Sequence, residues 1–404
     1  MGDVGNTLTL GPLAPTAYGT KEREAARALR RAEVVILAAA LALVGLGLVM
    51  IYSTSGLLAE RYGSPTHFLG KQAVWAALAG AALFVGRGID YHFYSHLRRP
   101  VLVATIVMLV LVLVLGTRLN GARRWFRIAG VGMQPSDLAK LGIIVYLSAF
   151  LVDLRKTPAD LRRGFFPAFM ALGTVVGLIA LEPDIGTAFL ISCVGGTLLL
   201  LGGVRARHIV PAALVAGPLA AGYILLRLDY VRARLLVWLD PSLDPLGKGY
   251  HARQSLIALA GGGVFGKGLG QGSQKLFFLP EAHGDFIFAI IGEELGLVGA
   301  LVVMGLFLAI VLRARTVARC SKDRTGALIA TGIALWIGLQ AAFNIAVVTA
   351  SVPTKGIPLP LVSYGGSALV VTAYAIGVLL NISGHGLDPV RRGFGGSALE
   401  GGGR

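Results

Sequence analysis

Charged residues are scarce in this chain. Asp, Glu, Lys and Arg make up 14% of the 404 residues, whereas 55% are hydrophobic. A soluble domain carries roughly 25% charged residues, so the composition excludes an ordinary soluble protein. Apolar runs of about 20 residues recur along the chain, which is the length that crosses the hydrocarbon core of a bilayer. The sequence therefore predicts an all-α polytopic membrane protein.

Acidic residues are scarcer than basic ones, with 21 Asp and Glu against 37 Lys and Arg and a formal net charge of +16. In a soluble protein such an excess would suggest nucleic-acid binding. In a membrane protein it has a simpler explanation, because cytoplasmic loops are rich in Lys and Arg. We therefore predict no nucleic-acid partner.

Cysteine is nearly absent, and a signal-peptide cleavage site is missing. Cys193 lies in an apolar run and Cys320 in a basic segment, so the two are not expected to meet in a disulfide. The first apolar run, about 34–53, is too long for the core of a signal peptide and is not followed by small residues at a cleavage point. We expect it to remain in the protein as a helix.

Ten apolar runs predict ten transmembrane helices, with both termini in the cytoplasm. They lie near 34–53, 72–90, 100–117, 137–153, 165–181, 186–203, 208–226, 285–312, 325–350 and 361–383. The segments assigned to the cytoplasm hold 22 Lys and Arg, against 7 in the outer segments when the long loop is left out. Long loops weigh little in this rule, so the orientation is well determined. Residues 1–33 and 384–404 are predicted to be disordered cytoplasmic tails flanking a membrane domain at 34–383.

One large extracytoplasmic loop, 227–284, is the main predicted segment outside the membrane. Its residues 255–264 are apolar but too short to span, so they either re-enter the membrane or lie on its surface. Glu281, His283 and Asp285 stand at its end, where the next helix is predicted to begin. Carboxylates at this depth are costly unless they face a protein cavity, so they indicate a functional site.

Cationic groups are predicted at the same outer boundary. Arg123 and Arg124 either bind a phosphate in a forked geometry or anchor their loop among lipid headgroups. Lys355 is the positive charge of the outer loop 352–366 and is placed to meet an anionic substrate. The prolines and glycines of that loop, with Ser363 among them, are typical of a broken helix that lines a cavity.

Two further polar pairs have both structural and functional explanations. Asp137 and Lys140 are three residues apart, which predicts an ion pair on one helix face that ties the helix to the bundle. Glu182 and Asp184 flank a proline in a very short outer turn. They either bind a cation or receive one of the arginines.

Glu293 and Glu294 lie deeper in the helix that follows Asp285 and are predicted to serve packing or coupling, not chemistry. His251 and His283 are isolated histidines. No HxxE or HxH spacing accompanies them, so we predict hydrogen-bonding roles for both and not metal ligation.

These blocks together resemble the SEDS family (shape, elongation, division and sporulation) of membrane-embedded peptidoglycan glycosyltransferases. The resemblance covers about 34–383, and PEAH, DPLGKGY and PTKG are more similar to the division-type branch, FtsW, than to the elongation-type branch, RodA. The matching blocks are Gly121–Lys140, Glu182–Thr187 (EPDIGT), Gly249–Gly270, Phe278–Gly296 and Pro353–Ser367.

The chain departs from the family pattern at three of these positions. The family usually has Thr where Gly284 stands, Glu where Asp137 stands, and Ser where Ala368 stands. None of the changes removes a charged group, so we expect activity to survive.

The resemblance implies that lipid II is polymerised into glycan strands at the outer face of the membrane, with Asp285 as the catalytic residue. A carboxylate suits this role, because the attacking sugar hydroxyl needs a base within hydrogen-bond reach. The leaving lipid pyrophosphate develops charge and needs cations, for which Arg123, Arg124 and Lys355 are the candidates. A divalent cation, Mg²⁺ or Mn²⁺, is a further option.

Glu281, His283 and Ser363 complete the predicted substrate-binding set. Inversion at the anomeric carbon requires one base and no covalent intermediate, so no second nucleophile is expected. The resemblance also implies a class B penicillin-binding protein as partner, together with other membrane proteins of the division complex.

Two other classes of function fit part of the sequence. A transporter for a lipid-linked precursor would also use many helices and buried carboxylates, but no inverted repeat is visible and the polar groups cluster on one side. A non-catalytic scaffold for division proteins leaves the cluster Glu281–Asp285 unexplained. Within the family reading, an elongation-type polymerase is the alternative.

Overall fold

The computed structural model describes residues 17–55, 67–119, 122–128, 131–154, 160–227, 229–240, 249–275 and 283–395, with 244, 247 and 279. The helices are α1 (Ala17–Ser55), α2 (His67–Gly88), α3 (Tyr91–His96), α4 (Arg98–Leu115), α5 (Pro135–Asp153), α6 (Phe166–Leu181), α7 (Ile185–Leu201), α8 (Ala206–Arg227), α9 (Asp229–Leu239), α10 (Tyr250–Gly262), α11 (Ile287–Arg319), α12 (Arg324–Val348) and α13 (Gly366–Gly395). A π-helical turn, Leu161–Phe165, leads into α6.

The predicted fold class, a polytopic helical membrane protein, is confirmed. Eight helices of the described residues are long and apolar enough to cross a membrane. The other two predicted spans correspond to α7, which is apolar but only 17 residues long, and to α8, which contains Pro211 and Pro218. The count of ten spans therefore stays a prediction.

A small sheet interrupts the helices where the sequence predicted only an outer loop. The antiparallel strands β1 (Thr117–Leu119), β2 (Ala122–Ile128) and β3 (Val131–Met133) pair in that order. The central strand reads ARRWFRI, and its aromatic and branched residues favour extended backbone. Pairing also satisfies peptide groups that lie close to the membrane, where water is limited. The all-α prediction missed this element.

The N-terminal segment is more ordered than predicted. Helix α1 begins at Ala17, so residues 17–33 are helical and the prediction of a disordered tail is wrong there. Ala26, Leu29 and Ala32 are spaced by three residues and are buried, which gives this part of α1 an apolar face against the bundle. At the other end, α13 continues to Gly395, past the predicted boundary at 383. Residues 1–16 and 396–404 lie outside the described part of the chain.

Helices α5, α12 and α13 form the centre of the bundle, and most of their side chains are buried. Helix α2 packs closely on α13 through glycines. A Cβ atom on Gly86 would lie 2.5 Å from the Tyr374 carbonyl, and one on Gly377 would lie 2.2 Å from the Leu83 carbonyl. Small residues of this kind let membrane helices approach backbone to backbone.

The described part of the predicted loop 227–284 contains the helices α9 and α10, and α10 packs against the first turns of α11. A Cβ atom on Gly262 would lie 1.9 Å from the Gly292 carbonyl, so the two backbones touch. The chain then returns along α11, where Leu297 N–H donates to the Gly263 carbonyl at 3.0 Å. Gly296, with φ of 68°, breaks α11 at this contact. These contacts hold 255–264 against α11, and the choice between re-entry and a surface position stays a prediction.

Candidate functional site

Asp285 lies in the turn immediately before α11, and the loop between α12 and α13 packs against that turn. Tyr364 N–H donates to the His283 carbonyl at 2.9 Å. The Ser363 hydroxyl donates to the Gly284 carbonyl at 2.8 Å. Two segments that the sequence presented as separate motifs are thus joined by hydrogen bonds to the backbone.

The same loop reaches the Asp285 side chain. A Cβ atom on Gly356 would lie 2.7 Å from Asp285 Oδ2, so a glycine is needed for this approach. Asn344 of α12 is 1% exposed. Its amide donates to the carbonyls of Asp285 at 2.7 Å and Ile357 at 2.8 Å, which fixes the backbone on both sides of the contact. The sequence reasoning missed Asn344, although a polar side chain within an apolar run is a signal of function.

Two residues predicted to bind substrate have structural contacts in this site. Ser363 is buried, and besides the bond described above its hydroxyl accepts from Leu359 N–H at 2.8 Å. It positions the loop. The His283 ring lies 5.2 Å from the Phe68 ring and 5.5 Å from the Tyr364 ring, between centroids. It therefore links the start of α2 to the loop.

Lys355 is a half-buried cation beside the start of α7. A Cβ atom on Gly186 would lie 3.7 Å from Lys355 Cδ. Burial lowers the pKa of Lys355, the positive charge of Arg234 lowers it further, and Asp184 acts in the opposite direction. Lys355 therefore loses its proton more readily than an exposed lysine. A bound anion would raise the pKa of Lys355 again and keep it protonated.

An arginine reaches the short turn between α6 and α7, but it binds the backbone and not the carboxylates that were predicted to receive it. Arg124 donates to the backbone carbonyls of Glu182 at 2.7 Å and Pro183 at 2.6 Å, not to the side chains. Asp184 caps α7, because its Oδ1 accepts from Thr187 N–H at 3.2 Å. Arg124 thus connects the sheet to the turn that carries Asp184.

The Glu182 side chain has a different environment. It is completely buried, and neither carboxyl oxygen has a hydrogen-bond partner in the described part of the protein. Burial raises the pKa of Glu182 to about 8, the Asp184 charge contributes to the rise, and Arg124 opposes it. The Glu182 carboxyl group is therefore mostly neutral at pH 7 and adds little negative charge to the site.

Arg123 is a predicted site residue whose described hydrogen bonds lie at the end of a helix and not at Asp285. Arg123 is exposed and donates to the carbonyls of Val114 at 2.7 Å and Leu113 at 3.3 Å, at the end of α4. A cation suits this place, because it satisfies carbonyls that have no partner within the helix. Glu281 lies outside the described residues.

The predicted ion pair between Asp137 and Lys140 is present, with Lys140 Nζ at 2.9 Å from Asp137 Oδ1. It is connected to the site by buried hydrogen bonds. Lys140 donates to Gln340 Oε1 at 3.1 Å, and the Gln340 amide donates to the Pro358 carbonyl at 2.9 Å. On the other side, Ser367 of α13 donates to Asp137 Oδ2 at 2.9 Å. The pair therefore supports the loop that contacts Asp285.

Glu293 and Glu294 of α11 are completely buried and hold the chain that follows α10. Lys267 Nζ lies 2.7 Å from Glu293 Oε1, and Lys275 Nζ lies 2.7 Å from Glu294 Oε1. Ser53 of α1 also donates to Glu294, at 2.7 Å. These contacts agree with the predicted role in packing and coupling.

The chain after α10 is rich in glycine, and three of its backbone amides donate to these carboxylates. Gly270 N–H donates to Glu294 at 3.0 Å. Ser273 N–H and Gln274 N–H donate to Glu293 at 2.9 Å and 3.1 Å. These amides have internal anions as acceptors, so they are not placed to hold the phosphates of a substrate.

The described residues do not form a metal site beside Asp285. Mg²⁺ and Mn²⁺ prefer several oxygen ligands. In the described ranges, no three Asp, Glu, His or Cys side chains converge next to Asp285. The donor set described here therefore does not fit the optional divalent cation, and Lys355 is the positive charge nearest in the chain to the Gly356 contact.

Comparison with known proteins agrees with this architecture. A family model described as "Cell cycle protein" (FtsW/RodA/SpoVE) matches residues 33–386. A probable peptidoglycan glycosyltransferase FtsW of Geobacter metallireducens is 39% identical over 358 residues, which cover 88% of this chain and 95% of that protein. Stage V sporulation protein E of Bacillus subtilis is 36% identical and covers 85% and 94%.

Solved structures are similar over the same region. A chain of a peptidoglycan synthase complex, described as coordinating polymerisation and crosslinking, superposes with a TM-score of 0.71 at 28% identity, covering 87% of this chain and 97% of that one. RodA of Thermus thermophilus gives a TM-score of 0.63 at 26% identity, with coverage of 86% and 95%. On the family match and the identity to these relatives, the chain belongs to the FtsW/RodA/SpoVE family of cell cycle proteins.

Proposed function

We propose that the chain is a peptidoglycan glycosyltransferase that polymerises lipid II at the outer face of the cytoplasmic membrane, with Asp285 as general base. The observation that carries the proposal is the placement of Asp285 in a turn held by Asn344, Ser363 and Tyr364, against the backbone of Gly356. A base held this firmly is suited to a reaction that depends on orientation. Relatives of similar length carry the name of this activity.

The chemistry needs a single base. The Asp285 carboxylate would take the proton from the sugar hydroxyl of one lipid II as that oxygen attacks the anomeric carbon of the growing chain. The bond from the anomeric carbon to the lipid pyrophosphate breaks, and the pyrophosphate leaves with the bonding electron pair. One displacement inverts the anomeric centre, so no covalent intermediate is required.

The leaving group develops negative charge, and Lys355 is the cation best placed to stabilise it. Its pKa is lowered by burial and by Arg234, so an arriving pyrophosphate would both bind and stabilise the protonated form. Arg124 holds the turn between α6 and α7, and Arg123 binds carbonyls at the end of α4, so we assign neither to the leaving group.

We further propose a division-type role, an inner-membrane location with both termini in the cytoplasm, and a class B penicillin-binding protein as partner. Several relatives that are 39% identical carry the name FtsW, which favours division over elongation. The similarity to a chain from a synthase complex that coordinates polymerisation and crosslinking supports a transpeptidase partner. The distribution of Lys and Arg supports the orientation.

Polymer formation from purified lipid II tests the proposal directly. The protein would be assayed with its cognate transpeptidase, comparing wild type, Asp285→Asn and the control Asp229→Asn, an exposed acid at the start of α9. We expect long glycan from wild type and the control and a rate at least about 100-fold lower from Asp285→Asn. Equal rates for the two variants would remove Asp285 from the mechanism and turn attention to Glu281.

A failure of wild type to polymerise would discard the enzyme assignment as a whole. The same preparation in liposomes would then show whether lipid II crosses the bilayer, as a transporter requires.

A further inference from the structure

A cluster of two histidines and one aspartate lies at the end of the bundle opposite Asp285. Helix α11 begins at the Asp285 turn and ends at Arg319, shortly before Asp323, which contacts His92 of the cluster. Asp90 lies in the turn between α2 and α3, His92 in the first turn of α3, and His385 in α13. One ligand atom of each of these three residues lies within 4.8 Å of the others.

Each histidine turns one ring nitrogen toward the aspartate, Nδ1 in His92 and Nε2 in His385. His92 Nδ1 lies 2.7 Å from Asp90 Oδ1, and His385 Nε2 lies 3.5 Å from Asp90 Oδ2. The far nitrogen of each ring meets an acceptor: His92 Nε2 lies 2.9 Å from Asp323 Oδ2, and His385 Nδ1 lies 3.0 Å from the Asn381 carbonyl. With the ring N–H on the far nitrogen, the near nitrogen of each histidine is available to bind a metal.

One ring nitrogen of each histidine and one carboxylate oxygen of Asp90 therefore face one another within 4.8 Å. Three ligand atoms this close together can bind a single cation. The arrangement of ring nitrogens, each with an outward N–H bound to a carboxylate or backbone carbonyl, is the usual surrounding of histidines that bind a metal.

We propose that Asp90, His92 and His385 bind one divalent transition-metal ion of the Zn²⁺ class. Two imidazole nitrogens and a carboxylate oxygen are a donor set that suits Zn²⁺, Co²⁺ and Ni²⁺ and suits Mg²⁺ poorly. The three side chains are partly exposed, so water completes the coordination.

The residues around the cluster are arranged to hold the ligands. Asp323, which accepts from His92, also accepts from the Tyr91 hydroxyl and from Gly326 N–H. The Tyr91 ring stacks on the His92 ring with centroids 4.1 Å apart. Asn381 accepts from Tyr91 N–H at 3.0 Å, which connects α3 to the helix that carries His385.

The ion would fasten parts of the chain that are distant in sequence. It would join the α2–α3 turn to α13 directly, and it would join both to the α11–α12 turn through Asp323. The site is separate from the proposed glycosyl transfer, so its role is to stabilise this end of the bundle. Since the ion binds the folded protein, it should raise the thermal midpoint by mass action.

Metal titration of the full-length protein in detergent, without a histidine tag and after treatment with a chelator, tests the site. Zn²⁺ and Co²⁺ would be added to wild type, His385→Gln and His96→Gln, with Mg²⁺ as the hard-cation control. His96 lies on α3, is partly exposed and is not one of the three ligands, so it controls for the loss of a histidine. Binding stoichiometry, the visible absorption of bound Co²⁺ and the thermal midpoint are the measurements.

We expect one equivalent of Zn²⁺ or Co²⁺ in wild type and His96→Gln, with a rise in the thermal midpoint that Mg²⁺ does not give. His385→Gln should bind at least about 10-fold more weakly, and Asp323→Asn, which keeps a capping side chain on α12, about 10- to 100-fold more weakly. Wild type without bound metal would overturn the proposal. Equal affinity in wild type and His385→Gln would overturn it as well.

Discussion

The two carboxyl groups in the turn between α6 and α7 have different surroundings. Asp184 caps a helix and faces Lys355, whereas Glu182, two residues away, is buried without a hydrogen-bond partner in the described chain. The pKa of Glu182 is raised to about 8, first by burial. From the sequence the two acids look equivalent. Their spacing in a turn does not show which of them points into the helix bundle.

Glu182 makes stability depend on pH in a direction that can be measured. The unfolded chain ionises this group near 4.5, whereas the folded protein keeps it neutral up to about 8. Its folded pKa is raised, so stability is greatest below 4.5 and is lost as pH rises toward 8. We expect Glu182→Gln to lose less stability than wild type over that interval, with a difference of about 3 kcal/mol near pH 7.

Thermal unfolding of the two proteins between pH 5 and 8 would measure that difference. Glu24→Gln, which changes an exposed glutamate of α1, is the matched control and should follow wild type. Parallel curves for wild type and Glu182→Gln would show that Glu182 is ionised in the folded protein.

At the scale of elements, the site depends on a loop that is fastened between α11, α12 and α13. Asn344 of α12 donates to the backbone on both sides of the contact between Asp285 and Gly356. The sequence revealed the motif residues of each segment, because prolines, glycines and acids at membrane depth are unusual. The sequence did not reveal which segments meet. Every residue has a backbone carbonyl, so a hydrogen bond to a carbonyl leaves no trace in the residue type.

Replacing Asn344 by Leu should separate activity from stability. Removing the amide takes one donor from each of two carbonyls, and a buried polar group that loses its partner costs about 1–3 kcal/mol. It also frees the turn that carries Asp285, and a displacement of about 1 Å at a reacting group lowers rates on the order of 100-fold. We therefore expect the polymerisation rate per folded molecule to fall by about that factor.

Asn381→Leu is the control for this experiment. Asn381 also makes two buried hydrogen bonds, to Arg87 and Tyr91, but at the opposite end of the bundle. It should cost a similar amount of stability and leave the rate per folded molecule unchanged. If Asn344→Leu retained the rate of Asn381→Leu, Asn344 would have only a structural role.

Over the whole molecule, periodicity and composition were sufficient for the helices and for the fold class. Apolar runs appear in sequence because every lipid-facing and core-facing side chain must be apolar. The small sheet, the early start of α1 and the cluster of Asp90, His92 and His385 did not appear, for a common reason. Each depends on partners distant in the chain: Leu29 packs beside Gly386, and His385 meets residues nearly 300 positions earlier.

The buried charges of α11 test how such distant partners hold the molecule together. Glu294 and Lys275 are both nearly inaccessible and connect α1, the chain after α10 and α11, whereas Lys267, the partner of the buried Glu293, is 37% exposed. Removing one member of a buried pair leaves the other charge unpaired and costs about 3–5 kcal/mol. Water can take the place of the partly exposed Lys267 beside Glu293, so that loss should be smaller. Lys275→Met should therefore be much more destabilising than Lys267→Met.

The double variant Lys275→Met/Glu294→Leu completes the argument, because it removes both charges and the penalty of leaving one alone. We expect it to be more stable than either single variant, with thermal unfolding of all four proteins giving the coupling free energy. Additive losses would show that the two groups act independently. In that case backbone contacts with α11, such as Leu297 N–H to the Gly263 carbonyl, and not charge, would hold the chain after α10 in place.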